Sequence, residues 1–148
     1  MYHHILISTD GSEQGNKGLD HGLTLAKALG ATATILTVTE RFPSYVTAGG
    51  EVWIATEMEG EFRTARQQAA QDILDAAAAA AEKIGVPAQL LHVADALPAE
   101  AIVEAAKEHD CSLICMASHG RRGLERLLLG SQTAEVLAHS PVPVLVVR

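Results

Sequence analysis

Five short apolar runs punctuate the chain: HILIST (4–9), TILTVT (34–39), AQLLHV (88–93), LICMAS (113–118) and VPVLVV (142–147). Each is nearly continuous in hydrophobicity rather than alternating, the pattern of strands covered on both faces of a parallel sheet. The stretches between them carry helical periodicity. The first, 12 to 29, starts at Ser12 as a candidate cap, stops at Gly30, and places Gly15, Gly18 and Gly22 on one face. A glycine inside a helix costs up to about 1 kcal/mol relative to alanine, so that face is expected to press close to the sheet.

The second helix is the longest, about 57 to 84, with Phe62, Ala65, Ala69, Ile73, Ala77, Ala80 and Ile84 forming the apolar stripe expected to face the sheet. A third opens with Pro98 in its first turn and runs to about His109, and a fourth starts at Ser131 and ends before Pro141. The order βαβαβαβαβ predicts an α/β fold: an open five-stranded parallel sheet with right-handed crossovers and helices on both faces. Residues 41 to 55, RFPSYVTAGGEVWIA, form the one long irregular stretch, either a flap or an ordinary surface loop.

Length sets the organisation: 148 residues suit one domain, 1–148, with enough buried surface to fold without a disulfide or metal. Hydrophobic residues at 48% and charged residues at 20% describe a soluble, folded chain, with no run near the roughly 20 apolar residues of a membrane span. The first strand-like run begins at His4, which leaves no room for a secretory signal, so a cytoplasmic location is expected. A net charge of −7 disfavours nucleic acid, whose non-specific binding depends on Lys and Arg neutralising phosphates. Neither a membrane nor a nucleic-acid partner is expected. Cys111 and Cys115 are read as reduced and structural, and the seven scattered histidines, His3 and His4 included, predict no metal site.

Ligands of open parallel sheets bind beyond the carboxyl ends of the strands, where the strand order reverses. Two segments are placed to meet there: TDGS (9–12) after the first strand and MASHGRRGLERLLLGSQT (116–133) after the fourth. In the second segment, Gly120 and Gly130 are expected to free the backbone for close approach to a ligand. The helix starting at Ser131 offers unpaired N–H donors suited to a phosphate, with Ser131 itself read as the N-cap. Arg121, Arg122 and Arg126 add positive charge to an otherwise acidic chain. Asp10 reads equally as a turn residue and as an acceptor for a ribose hydroxyl or adenine edge, and Val38 as core or as an apolar wall against a base. The chain has no Gly-Lys-Ser/Thr phosphate loop and no Gly-x-Gly-x-x-Gly after its first strand.

With these residues in view, ILISTDGSEQG, MASHGRRGLERLLLGS and SPVPVLVV resemble the universal stress protein family along essentially the whole chain. The nucleotide-binding branch of that family shows a glycine, two residues, a glycine, nine residues, then Gly-Ser or Gly-Thr. Here Ala117, Gly120, Gly130 and Ser131 stand at those spacings, and Ala117 departs from the pattern. The resemblance implies an adenine nucleotide alpha hydrolase-like fold with strand order 3-2-1-4-5, a homodimer through the last strand, and a site for ATP, ADP or AMP, with or without Mg2+. The implied site takes in Ser8, Thr9, Asp10, Val38, Met116, Ala117, Ser118, His119, Gly120, Arg121, Arg122, Gly130, Ser131, Gln132 and Thr133. Asp10 and Val38 would face the adenosine, while Gly120, Gly130, Ser131 and Gln132 would surround the phosphates. Gln132 stands where the family usually has a small apolar residue.

The function expected is that of an ATP-binding regulatory or stress-response module, at most a weak ATPase, because only His119 lies near the phosphates as a base and no lysine or magnesium ligand accompanies it. A nucleotide-free dimeric interaction module of the same fold is the alternative, kept open by Ala117. An acyl- or sulfur-transfer enzyme would need a reactive thiol, and Cys115 falls inside an apolar strand.

Overall fold

A computed structural model describes residues 1–41, 46–48, 51–53, 56–119 and 129–148, with the backbone alone for 46–48, 51–53 and 56–59. In chain order the elements are β1 (His4–Ser8), α1 (Glu13–Leu29), β2 (Thr32–Thr39), β3 (Val46–Ala48), β4 (Glu51–Trp53), α2 (Thr56–Ile84), β5 (Ala88–Ala94), α3 (Pro98–Glu108), β6 (Leu113–Ala117), α4 (Ser131–His139) and β7 (Val144–Val147). Five strands form a parallel sheet in the order β5-β2-β1-β6-β7, which is 3-2-1-4-5 when those five are counted alone.

Period-two alternation along the strands splits the core into two layers. Ile5, Ile7, Ile35 and Cys115 meet Leu19 and Leu23 of α1 and Leu74, Ala77 and Ala81 of α2 on one face. Leu6, Leu36, Ile114 and Met116 meet Ile102 and Ala106 of α3 and Val136 of α4 on the other. The central strands are buried along their middles, whereas the outer strands are more open: Leu90 on β5 is 41% exposed and Leu145 on β7 is 37% exposed. Sequence pattern alone does not tell an edge strand from a central one.

The glycine face of α1 does press on the sheet. A Cβ at Gly18 would stand 3.0 Å from Ala117 N, one at Gly22 would stand 2.8 Å from Ile7 Cδ1, and one at Gly15 would collide with Asp10 Oδ1. Ser12 is the N-cap, its hydroxyl accepting from Gly15 N–H at 3.0 Å, and Gly30 ends the helix in the left-handed region at φ 65.

Two expectations are corrected. The stretch 41 to 55 is not wholly irregular, since β3 and β4 pair antiparallel with Val46 opposite Trp53. The buried residues of α2 are Ala70, Leu74, Ala77 and Ala81: the expected Ala77 is among them and the expected Ala80 and Ile84 pack against the core, but the upper half of the stripe runs through Ala70 and Leu74 instead of Ala69 and Ile73, and Phe62 is 47% exposed. An alanine run gives a nearly uniform surface, so the register of the stripe is set by Leu74 reaching the core.

Candidate functional site

Helices that follow parallel strands start at the strands' carboxyl edge, so the first turns of α1 to α4 converge there. The chain runs outward from β1 through β2 to β5, then crosses back to β6 on the opposite side of β1, which puts the reversal of strand order between β1 and β6. A cleft of about 360 Å³ opens at that point, large enough for a small-molecule ligand. Ser8 and Asp10 border it from the end of β1, Gly15 from α1, Glu40 from the end of β2 and Arg66 from α2. On the other side stand Pro98 and Ile102 of α3, Met116, Ala117 and His119 at the end of β6, and Gly130, Ser131, Gln132 and Thr133 at the start of α4.

The start of α4 differs from the sequence expectation in an instructive way. Gly130, not Ser131, is the N-cap, and among the described residues no side chain caps the helix. Ser131 is the first helical residue. The first bond of the helix is Ala134 N–H to Gly130 O at 2.9 Å, so the amides of Ser131, Gln132 and Thr133 have no acceptor within the helix. Gly130 has φ −59 and ψ 147, a conformation open to any residue. Its constraint is space: an added Cβ would lie 2.9 Å from Ser118 O, which already accepts the Gly130 N–H at 2.9 Å.

Two side chains hold this turn in place. Thr133, 2% exposed, lies 3.1 Å from both Ala117 O and Ser118 O, and its hydroxyl ties the helix to the end of β6. Gln132 Oε1 accepts the Ala99 N–H at 2.9 Å and thereby caps α3, whose own N-cap residue, Leu97, contributes no side-chain bond. The glutamine that stands out from the family pattern thus has its side-chain oxygen committed to a neighbouring helix, which leaves its side-chain amide N–H donors and its backbone for a ligand.

Around β1, Asp10 Oδ1 accepts from Ser12 N–H at 3.0 Å and from the Ser12 hydroxyl at 2.6 Å, which makes it a turn residue that also borders the cleft. Thr9 is buried, with its hydroxyl accepting from Gly11 N–H at 3.2 Å, and it does not reach the cleft wall. Val38 is partly buried against the cluster that includes Leu6, Leu36 and Ile102 and is not among the residues lining the cleft. Ser118 is not among the lining residues and lies 2.9 Å from His119 Nδ1, while His119 Nε2 is buried with no hydrogen-bond partner among the described residues. Gly120, Arg121 and Arg122, together with Arg126, lie outside the described residues.

Beneath the cleft floor, Cys115 Sγ donates to Gly18 O at 3.5 Å. Burial pushes its thiol pKa up to about 12, and burial with the nearby Asp110 charge pushes that of Cys111 up to about 11. Both are free and protonated at neutral pH, which removes them as nucleophiles. Among the described residues no three His, Cys, Asp or Glu side chains are grouped to hold a metal, and no helix is long and apolar enough to cross a membrane.

The family model described as "Universal stress protein family" matches residues 1–148. The chain belongs to the universal stress protein family. It is similar to universal stress protein YxiE of Bacillus subtilis, 34% identical over 149 residues that cover 100% of both chains. Among solved structures it is similar to MJ0577, a Methanocaldococcus jannaschii universal stress protein, with a TM-score of 0.79 and 30% identity over 99% of this chain and 96% of the other. A universal stress protein crystallised in complex with cAMP superposes with a TM-score of 0.70 and 26% identity, covering 99% of this chain and 97% of the other.

In this universal stress protein the structure brings Ser8, Asp10, Met116, Ala117, His119, Gly130, Ser131, Gln132 and Thr133 to one cleft, whose lining does not include Thr9, Val38 or Ser118. Sequence reasoning missed Gly15, Glu40, Arg66, Pro98 and Ile102. Glu40, directly after β2, was discoverable from the rule that strand ends border the site. Arg66 was hidden by the misplaced stripe of α2.

Proposed function

We propose that this universal stress protein binds an adenine nucleotide, ATP with ADP or AMP as alternates, in the cleft at the β1/β6 reversal, and acts as a regulatory, stress-response module. The observation that carries this reading is the first turn of α4, with three amides lacking intrahelical acceptors, set across one cleft from the Asp10 carboxylate. Amides at a helix start suit a phosphate, and a carboxylate suits a ribose hydroxyl or the exocyclic amine of adenine. The cAMP complex of a relative supports the same ligand class.

The described lining residues include no lysine, and the one imidazole, His119, is engaged through Nδ1 with Ser118. Turnover of ATP is therefore expected to be slow or incidental, with Mg2+ arriving, if at all, with the nucleotide. Two free thiols suit a reducing cytoplasm. The edge position of β7, with Leu145 37% exposed, supports a homodimer that covers this strand. Mass spectrometry of nucleotides released from freshly purified protein, followed by calorimetry with ATP, tests the reading. Recovery of adenine nucleotide or saturable ATP binding is expected; a protein that releases none and gives no binding heat is the nucleotide-free interaction module instead.

A further inference from the structure

The overhang of α2 is the starting point. At about 1.5 Å per residue its 29 residues extend roughly 43 Å, against roughly 26 Å for the eight residues of β2 at about 3.3 Å each. Its far end is pinned low on the sheet, where Val86 is buried and Pro87 O accepts the Ala33 N–H at 2.9 Å. The excess therefore lies at the first turns, beyond the strands' carboxyl ends. Following the buried stripe from Ala81 through Ala77, Leu74 and Ala70, the next position up, one turn further, is Arg66. There the helix no longer covers strands but the mouth of the cleft, and Arg66 lines it half-buried.

Its charge is out of keeping with a merely solvated surface residue. The other ionised side chains lining the described cleft are Asp10 and Glu40, both acidic, and Arg66 makes no ion pair among the described residues. A guanidinium never loses its proton and offers a planar fork of donors matched to phosphate oxygens. It enters from the α1/α2 side of the sheet, whereas the amides of α4 enter from the α3/α4 side. An anion in the cleft is thus approached by donors from both faces.

We infer that Arg66 determines the ligand class of this site, drawing the phosphate chain of a nucleotide into the cleft from the face opposite the α4 amides, so that nucleotides are taken over nucleosides. This inference rests on the nucleotide reading above. Arg66→Gln preserves helix propensity and length while removing the charge, and Arg66→Lys restores a charge without the fork.

Calorimetry with ATP and with adenosine on the parent protein and both variants, each verified as folded by circular dichroism, separates the outcomes. Arg66→Gln should weaken ATP about tenfold, equivalent to about 1.4 kcal/mol, with adenosine changed less than about twofold and Arg66→Lys in between. The fall in ATP affinity with added salt should also be shallower in Arg66→Gln. Equal losses for both ligands would place Arg66 on the base or in packing and overturn the inference, as would unchanged ATP affinity. If the parent binds neither ligand, the nucleotide reading itself fails and the inference with it. A binding parent with an insensitive Arg66 removes the inference alone.

Discussion

Thr133→Val exchanges a buried hydroxyl for a methyl of nearly equal volume and tests whether the start of α4 is held by the hydrogen bonds of that one atom. The hydroxyl lies 3.1 Å from two carbonyls, but they do not lose equally. Ser118 O keeps the Gly130 amide at 2.9 Å, so the loss concentrates on Ala117 O. A buried acceptor deprived of its partner costs about 1–3 kcal/mol, and the extra apolar methyl returns less than about 1 kcal/mol, leaving a net loss of about 1–2 kcal/mol. With a urea slope near 2 kcal/mol per molar, the unfolding midpoint should fall by about 0.5–1 M. ATP affinity should drop as well, because the untied first turn no longer holds its amides towards the cleft. Thr133→Ser keeps the hydroxyl and should recover most of both losses. A midpoint for Thr133→Val within about 0.2 M of the parent would refute the reasoning, given that urea slope. So would a serine variant as impaired as the valine one, since packing of the methyl would then be the cause.

Ala117 is the departure from the family's glycine pattern, yet it ends a strand at negative φ, so alanine carries no backbone strain there. Ala117→Gly should change ATP affinity by less than about twofold in calorimetry, or about 0.4 kcal/mol, and a tenfold gain would show that the methyl obstructs the ligand. The two thiols should resist iodoacetamide in the folded protein at pH 8 and react in urea. Because burial raises both thiol pKa values above the ordinary 9.0, their contribution to stability is whole below pH 9 and is lost as the pH climbs towards 11 and 12. Cys111→Ala combined with Cys115→Ala should flatten that alkaline decline of the urea midpoint, and an unchanged slope would locate the titration in other groups.

Much of the architecture was legible because local and tertiary preferences agree. The strand runs could be read from their apolar continuity, and α1 from its cap, its terminal glycine and the three glycines whose missing Cβ atoms set the distance to Asp10, Ala117 and Ile7. The misreadings occur where the deciding contact is remote. The α2 stripe could not be phased through Ala76 to Ala81, since six identical small side chains carry no direction, and Arg66 went unnoticed for that reason. Ser131 reads as a cap by residue type, but the close approach of Gly130 to Ser118 O moves the cap back by one residue. Pro143 and the turn in which the Ser140 hydroxyl donates to Val142 O delay β7 to Val144, two residues after its apolar run begins. Val38 lies on a strand that reaches the site, and only the tertiary packing shows it partly buried against the cluster under α3 and α4.

The link from Gln132 to Ala99 makes the first turn of one helix the cap of another. Most helices keep their first turn together with a side chain from their own sequence, so that one helix can fray without its neighbour. Here α3 has handed that task to a residue of α4, 33 positions later in the chain. The Ala99 amide is shielded only while the α4 turn stays in register, so its rate of exchange with deuterated solvent gauges the order of a turn to which it does not belong. A ligand that steadies α4 would be registered as slower exchange on α3, in a part of the chain that need not touch the ligand at all.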